Sequence, residues 1–350
     1  MAERVATGRG AGVALWILCA IACVFAVHAL RSILVPFAVA VLLMIVVEGV
    51  AQAQRRTLPR WPEWTGRALG VLLVAAFFLG SLPVAAAQAA SVAEQVVRIV
   101  ARIDALLAML GSRVGGAPMT VAGLLDDGTV RAAVGAVLDS TQSFVSVSLL
   151  VAIYLGFLLA SRAAVAGRFA LVLADPSRRA VAMDVVAAVR RGTGEYLWVQ
   201  TVTGLLIAAV SWAIMTALGQ DGASLLALVI FLTSYIPVIG PFLGVSVPAV
   251  FALGQFDGWR EVVLLLAGLQ GINFLVNNLL VPRMQSRRLN LDPTVVLLSL
   301  ALWSYLWGIA GALLSTPLAV LAMASASAVP SLRWFAVLMS ADGRPLGVRG

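Results

Sequence analysis

The stretch Thr233-Ser-Tyr-Ile-Pro-Val-Ile-Gly-Pro-Phe-Leu-Gly244 decides how this chain is folded. It lies inside an apolar run of 31 residues, Ala223 to Leu253. Pro237 and Pro241 each remove a backbone donor and crowd the preceding turn, while Gly240 and Gly244 loosen the backbone, so an ordinary helix does not continue through them. In hydrocarbon such a break persists only where protein or a water-filled cavity satisfies the freed N–H and C=O groups. The stretch is therefore a kink or the tip of a site.

Length separates the two. A second apolar region, Pro293 to Met323, is also 31 residues long. As straight helices both would measure about 46 Å at roughly 1.5 Å per residue, against a hydrocarbon core of about 30 Å. One straight crossing needs a tilt of about 50°, beyond the usual range of roughly 0–40°. Two half-passes of about fifteen residues fit better at that rise. The two regions also echo each other. Ser234-Tyr235 precedes Gly240, Gly244 and Pro248-Ala-Val250, and Ser304-Tyr305 precedes Gly308, Gly311 and Pro317-Leu-Ala-Val320. A unit of one crossing helix plus one broken hairpin then occurs twice.

Composition sets the solvent. The chain is 61% hydrophobic and 11% charged, with a mean hydropathy of +1.02, where a soluble domain carries about 25% charged residues. This is an all-α polytopic membrane protein in one integrated bundle. The net charge is +8, and all 24 basic residues are arginine. Such an excess belongs to cytoplasmic loops rather than to nucleic-acid binding. With the N-terminus inside and both long regions as re-entrant hairpins, 18 arginines fall inside and 6 outside. With both as simple spans the split is 16 to 8. The hairpin arrangement is favoured, and it makes the two units a candidate inverted repeat of the kind secondary transporters use. Both termini are then cytoplasmic.

In chain order, residues 1–87 hold three membrane helices, from the runs Ala11–Val27, Ile33–Val47 and Ala68–Ala87. Residues 88–142 form an amphipathic extramembrane helical region, with Val92, Val96, Ile99, Ile103, Leu106 and Leu110 at helical period. Gly115-Gly-Ala-Pro118 breaks it, and a shorter amphipathic piece runs from Leu124 to Leu138. This region is a gate, an oligomerisation arm or a helix lying on the bilayer. Residues 143–195 carry a fourth membrane helix and a basic cytoplasmic loop. Residues 196–325 form the core with the two helix-plus-hairpin units, and 326–350 a cytoplasmic tail. The fold is about six full crossings, from these runs, with two broken-helix regions.

Catalytic signatures are missing from the sequence. There is no zinc motif, no nucleophile elbow and no P-loop, so neither an enzyme, a cofactor nor a metal site is expected. Cys19 and Cys23 read as small hydrophobes in the first run, and His28, the one histidine, reads as an interfacial residue. The informative polar groups lie inside the bundle. Gln270, Asn273 and Asn277 share a helical face with Asn278 beside them, and Tyr196, Gln200, Thr203 and Ser211 share a face of the fifth run. Such groups either hold helices together, at about 0.6–2 kcal/mol each, or line a path for a small neutral polar solute such as a polyol. Glu48, Glu195, Glu261 and Asp292 all fall near run ends. Glu195 is the candidate for ion coupling, with a surface ion pair to Arg190 or Arg191 as the plainer reading.

Four segments resemble the autoinducer-2 exporter-like family, also called PerM-like permeases. They are Tyr235-Ile-Pro-Val-Ile-Gly-Pro241, Asn278-Leu-Leu-Val-Pro-Arg-Met284, Leu289-Asn-Leu-Asp-Pro-Thr294 and Gly308-Ile-Ala-Gly-Ala-Leu-Leu-Ser-Thr-Pro317. Tyr196-Leu-Trp-Val-Gln200 is similar to the family's Tyr-Leu-x-x-Gln segment. The resemblance implies a bacterial inner-membrane protein whose relatives export the furanosyl signal autoinducer-2 or exchange sodium for protons. Thr233 and Ser234 stand where the family often has an acid, none lies near Asn277, and Asp292 replaces a frequent histidine. The lost acids weaken the antiport reading.

The expected function is a transporter or exporter of a small polar molecule working by alternating access. The alternatives are a sodium/proton antiporter using Glu195, and a non-transporting scaffold acting through 88–142. Expected substrate contacts are Gln200, Thr203, Tyr235, Pro237, Gly240, Pro241, Gln270, Asn273, Asn277, Asn278, Gly308, Gly311 and Pro317. The expected partners are the lipid bilayer and the solute, with no nucleic acid; a homo-oligomer is compatible.

Overall fold

The structure is a computed structural model that describes residues 21–114, 145–162, 175–284 and 290–345, together with 15, 18, 19 and 164. Most of the first apolar run, the break and second piece of the amphipathic region, and Arg168, Gln285, Arg287 and Arg288 lie outside the described residues. Within them the chain is helical without strands, apart from an isolated antiparallel bridge between Leu291 and Ser340. Among the described residues, six helices are long and apolar enough to cross a membrane. The all-α polytopic architecture expected from composition is the one found.

Helix α1 (Arg31–Thr57) carries Pro36 in its second turn. It packs on α2 (Glu63–Val114), where Gly66 and Gly70 let the backbones approach at Ala51 and Val47. Helix α2 is 52 residues long, about 78 Å, and runs unbroken from the third apolar run into the amphipathic segment. Helix α3 (Val145–Arg162) closes a cluster of Ala40, Val47, Val74, Val151 and Leu155. Helix α4 (Pro176–Ala217) starts where the Asp175 carboxylate accepts from the Ser177 N–H at 2.9 Å, with Pro176 in the first turn. On one side of the bundle Arg190 of α4 pairs with Glu48 of α1.

The decisive stretch is a re-entrant hairpin. Helix α5 (Ala223–Thr233) and helix α6 (Ile239–Gln255) have 11 and 17 residues, roughly 16 and 26 Å, so neither reaches across. Their outer ends are tied together: Gln255 Nε2 donates to the Gly219 carbonyl at 2.8 Å, and the Asp221 N–H donates to Gln255 Oε1 at 2.8 Å. The far end of α2 lies over this mouth. Arg102 donates to the Asp257 carboxylate at 2.7 Å and to its carbonyl at 3.0 Å, Arg98 reaches Asp221 at 3.9 Å, and Ile99 fills the space left by Gly254.

Helix α7 (Trp259–Leu275) returns through a π-helical turn (Val276–Leu280) and the short α8 (Val281–Met284). Then α9 (Pro293–Ala328) makes the second hairpin. Its break is Gly308, at φ 63° and ψ −142°, a backbone region that is essentially glycine-only. The arms lie side by side: Ser299 Oγ donates to the Ser315 carbonyl at 2.8 Å, and Leu291, Val295 and Val296 pack with Ala319, Val320 and Met323. This hairpin opens on the opposite side from the first, because α7 to α8 carries the chain back across. Ile236 of the first tip is buried with Leu300 and Ala312 of the second hairpin.

The echo in sequence has a physical counterpart at the tips. A Cβ at Gly240 would overlap the Thr233 carbonyl, and one at Gly311 would overlap the Trp303 carbonyl. In each hairpin, a glycine lets the outgoing arm press on the carbonyl just before the Ser-Tyr pair. Gly240→Ala and Gly311→Ala are therefore each expected to cost about 1–3 kcal/mol of overpacking, read as lower melting temperatures. Gly271→Ala, whose Cβ meets open space, serves as the control and should melt like the parent.

Past α9 the chain turns at Pro330–Leu332 into α10 (Arg333–Met339) and returns to the second mouth. The Asp292 N–H donates to the Met339 carbonyl at 2.9 Å, the Ala341 N–H to the Asn290 carbonyl at 3.1 Å, and Asn290 Nδ2 to Asp342 Oδ1 at 2.7 Å. Hydrogen bonds from Thr294 hold the Asp292 carboxyl below the usual carboxylate range, and those from the Asn290 amide and the Arg344 N–H do the same for Asp342. A lowered folded-state value means stability present above the ordinary value of about 4 and lost as pH falls through the folded one. The melting temperature should therefore fall on acidification below about pH 4, and fall less in Asp342→Asn.

Candidate functional site

The site grows out of the broken backbone. Helix α5 ends at Thr233, and Val238, a β-branched residue, sits at φ 64° before α6 begins. A non-glycine residue there is strained by about 1–3 kcal/mol and persists because its surroundings hold it. Pro241 falls in the first turn of α6, where its missing N–H costs little. The break frees the Ser234 and Tyr235 carbonyls, and α4 supplies their donors. Gln200 Nε2 donates to the Ser234 carbonyl, and the Tyr196 hydroxyl donates to the Tyr235 carbonyl at 2.7 Å. The Tyr235 hydroxyl lies 2.7 Å from Thr201 Oγ1, and its ring stands edge-on to Phe231 at 5.6 Å. So Tyr196 and Gln200 brace the tip. Tyr196→Phe should leave a buried carbonyl unpaired at about 1–3 kcal/mol, and a thermal melt of the variant measures it.

Beside this tip is a cavity of about 110 Å³. Of the expected contacts, Gln200, Thr203, Pro237, Gly240, Pro241, Asn273 and Asn277 line it. Ser234, Ile207, Ile230, Ile236, Val238 and Gly244 complete the wall. Ser234 was visible in the sequence as half of the Ser-Tyr echo and as a position where the family often has an acid. Ile207 is one turn beyond Thr203 on α4, a spacing that marks it as facing the same way.

The polar groups present mostly acceptors. Asn273 Nδ2 donates to the Leu269 carbonyl at 3.0 Å and Asn277 Nδ2 to the Asn273 carbonyl at 2.9 Å. Thr203 donates to the Val199 carbonyl at 2.7 Å and Ser234 to the Phe231 carbonyl at 2.6 Å. With these donors turned onto the helices, the cavity offers the amide and hydroxyl oxygens together with the second N–H of each amide. A lining of this kind suits a solute that brings its own O–H or N–H groups.

The other expected residues sit elsewhere. Tyr235 points away into its bonds with Thr201 and the Phe231 ring. Gln270 is exposed, because the buried face of α7 runs through Val262, Leu265, Leu269 and Asn273 and Gln270 lies off it. Asn278 is exposed and bonds back to the Phe274 carbonyl at 3.0 Å. Gly308, Gly311 and Pro317 belong to the second hairpin and do not line the cavity; Gly311 and Pro317 are buried there. Glu195 is half-buried on α4 and is not part of the lining, while Arg190 is engaged by Glu48. His28 Nδ1 lies 2.9 Å from the Leu306 carbonyl, and Trp307 Nε1 donates to the Val27 carbonyl at 3.0 Å, so the second tip is held by the segment just before α1. Among the described residues no group of three His, Cys, Asp or Glu could hold a metal ion.

Comparison with known proteins bears on this geometry. The sequence profile of the AI-2E family transporter matches residues 15–331. The chain is 33% identical over 177 residues to the "AI-2 transport protein TqsA" of Escherichia coli K12, a match covering 50% of this chain and 49% of that protein. The aligned part thus spans about half the length of that relative. It is 26% identical over 316 residues to a "Putative transport protein" of Haemophilus influenzae Rd, covering 88% of this chain and 90% of that protein.

Proposed function

The chain belongs to the AI-2E family of transporters, and from that premise we propose that it moves a small neutral, hydroxyl-bearing solute through the cavity beside the first hairpin. The observation that carries this reading is the cavity itself: it lies at a helix break, between α4, α7 and the two half-helices, and its polar lining is acceptor-rich. Its volume of about 110 Å³ is well below the roughly 300–1,000 Å³ of pockets for drug-sized ligands, so the solute is small. The relative named for AI-2 transport supports that signal as the cargo. The protein is a multi-pass membrane protein, and we place it in a bacterial inner membrane with both termini cytoplasmic.

In this reading residues 196–325 are the transport core, and access alternates as the oppositely directed hairpins shift against the first four spans. Gln200 belongs to the mechanism as a brace for the moving tip as much as a contact for the solute. Antiport through Glu195 has less support, because Glu195 stands outside the lining. Antiport through a cation on the freed tip carbonyls has less still, because Gln200 and Tyr196 already engage them.

Flux of AI-2 and of neutral polyols of similar size into proteoliposomes tests the proposal. Losing one hydrogen bond of about 1–3 kcal/mol changes a rate by roughly tenfold or more. Asn273→Leu and Asn277→Leu should therefore each lower flux about tenfold, and Gln270→Leu should leave it near the parent level. Equal flux in all four proteins, or none in the parent for any of these solutes, defeats the reading.

A further inference from the structure

The segment after the second hairpin carries a surface that the transport reading does not use. Helix α10 buries Ala336 and Met339 against the cluster of Leu291, Val295, Val296, Ala319, Val320, Met323 and Ala326. Its other side is apolar and bare: Trp334 is 63% exposed, Phe335 44% and Leu338 66%. At helical spacing these three form one arc, and Arg333 lies at its edge. The helix begins five residues after α9 ends, and it packs beside the first turn of that hydrophobic hairpin. A tryptophan and its apolar neighbours at the end of a membrane hairpin, flanked by arginine, match the headgroup layer, where amphipathic rings sit and arginine stems lie along the apolar boundary.

We propose that Pro330–Arg344 is a membrane-surface strap, with Trp334, Phe335 and Leu338 seated in the headgroup layer of the bilayer. The lipid surface is the occupant because the apolar hairpin on which α10 packs is itself bare on its outside, with Leu297, Leu298 and Leu321 exposed. The strap's far end is tied to the second mouth through Ser340, Ala341 and Asp342 on Asn290 and Leu291. Seating the helix thereby fixes the level of that hairpin's mouth against the membrane face. This inference stands on the fold alone and does not depend on the identity of the solute.

Full-length protein with Cys19→Ala and Cys23→Ala, carrying either Leu338→Cys or Ala341→Cys, is labelled with an environment-sensitive fluorophore and reconstituted in phosphatidylcholine vesicles. Both positions are exposed, and variants that elute and melt like the parent are taken forward. At position 338 lipids spin-labelled at the headgroup should quench at least about twofold more than aqueous iodide, a preference expected for a side chain seated at the interface. At position 341 iodide should be the stronger quencher. Iodide reaching 338 as well as 341 overturns the proposal. So does label-to-label energy transfer between copies without lipid quenching, which would assign the face to a second copy of the chain.

Discussion

Everything in this structure hangs on two backbone carbonyls. Breaking a helix inside a low-dielectric bundle frees groups that water cannot reach, and each left unpaired would cost several kcal/mol, on the order of a transfer into hydrocarbon. Tyr196 and Gln200, one turn and a fraction apart on α4, meet the Tyr235 and Ser234 carbonyls. This bracing permits Ser234 to Val238 to leave the two helices, and the space beside the unwound turn becomes the cavity. The strained φ of Val238 is tolerated for the same reason.

The second constraint is the mouth of each hairpin. Half-helices that do not cross need their ends held, since a hairpin of short arms has little burial of its own to resist splaying. The first mouth is closed by Gln255 on Gly219 and Asp221, and covered by the extended end of α2 through Ile99 and Arg102. The second is closed by residues that follow it, through Asn290, Leu291 and Asp292 on the segment 339–342. Part of what composition presents as an amphipathic insertion covers the first mouth, and the start of the tail closes the second. Exposed ion pairs such as Arg102 with Asp257 contribute modestly, and the apolar contact of Ile99 on Gly254 sets the position.

The sequence and the structure agree where length and local chemistry govern. The 31-residue runs are too long for one crossing and too interrupted for one helix, and both fold back. Gly240 and Gly311 were visible as breakers, though the carbonyls they press upon were not. The amides of α7 and its π-helical turn show the boundary clearly. Period places Gln270, Asn273 and Asn277 on one side, yet Asn273 and Asn277 reach the cavity and Gln270 does not. A helical wheel gives direction about an axis, and it carries no information about which neighbour stands opposite at each height.

The sequence by itself determined the solvent, the helices, the two breaks and the family, because hydropathy, proline, glycine and helical period act locally along the chain. Tertiary structure decided the rest. It turned Gln200 and Tyr196 into braces and brought Asn273 and Asn277 to the first tip. It also kept Gly308, Gly311 and Pro317 away from the cavity and laid α2 and α10 over the two mouths. Those outcomes depend on which carbonyl meets which donor across the bundle, and only the packing of helices far apart in sequence fixes that pairing.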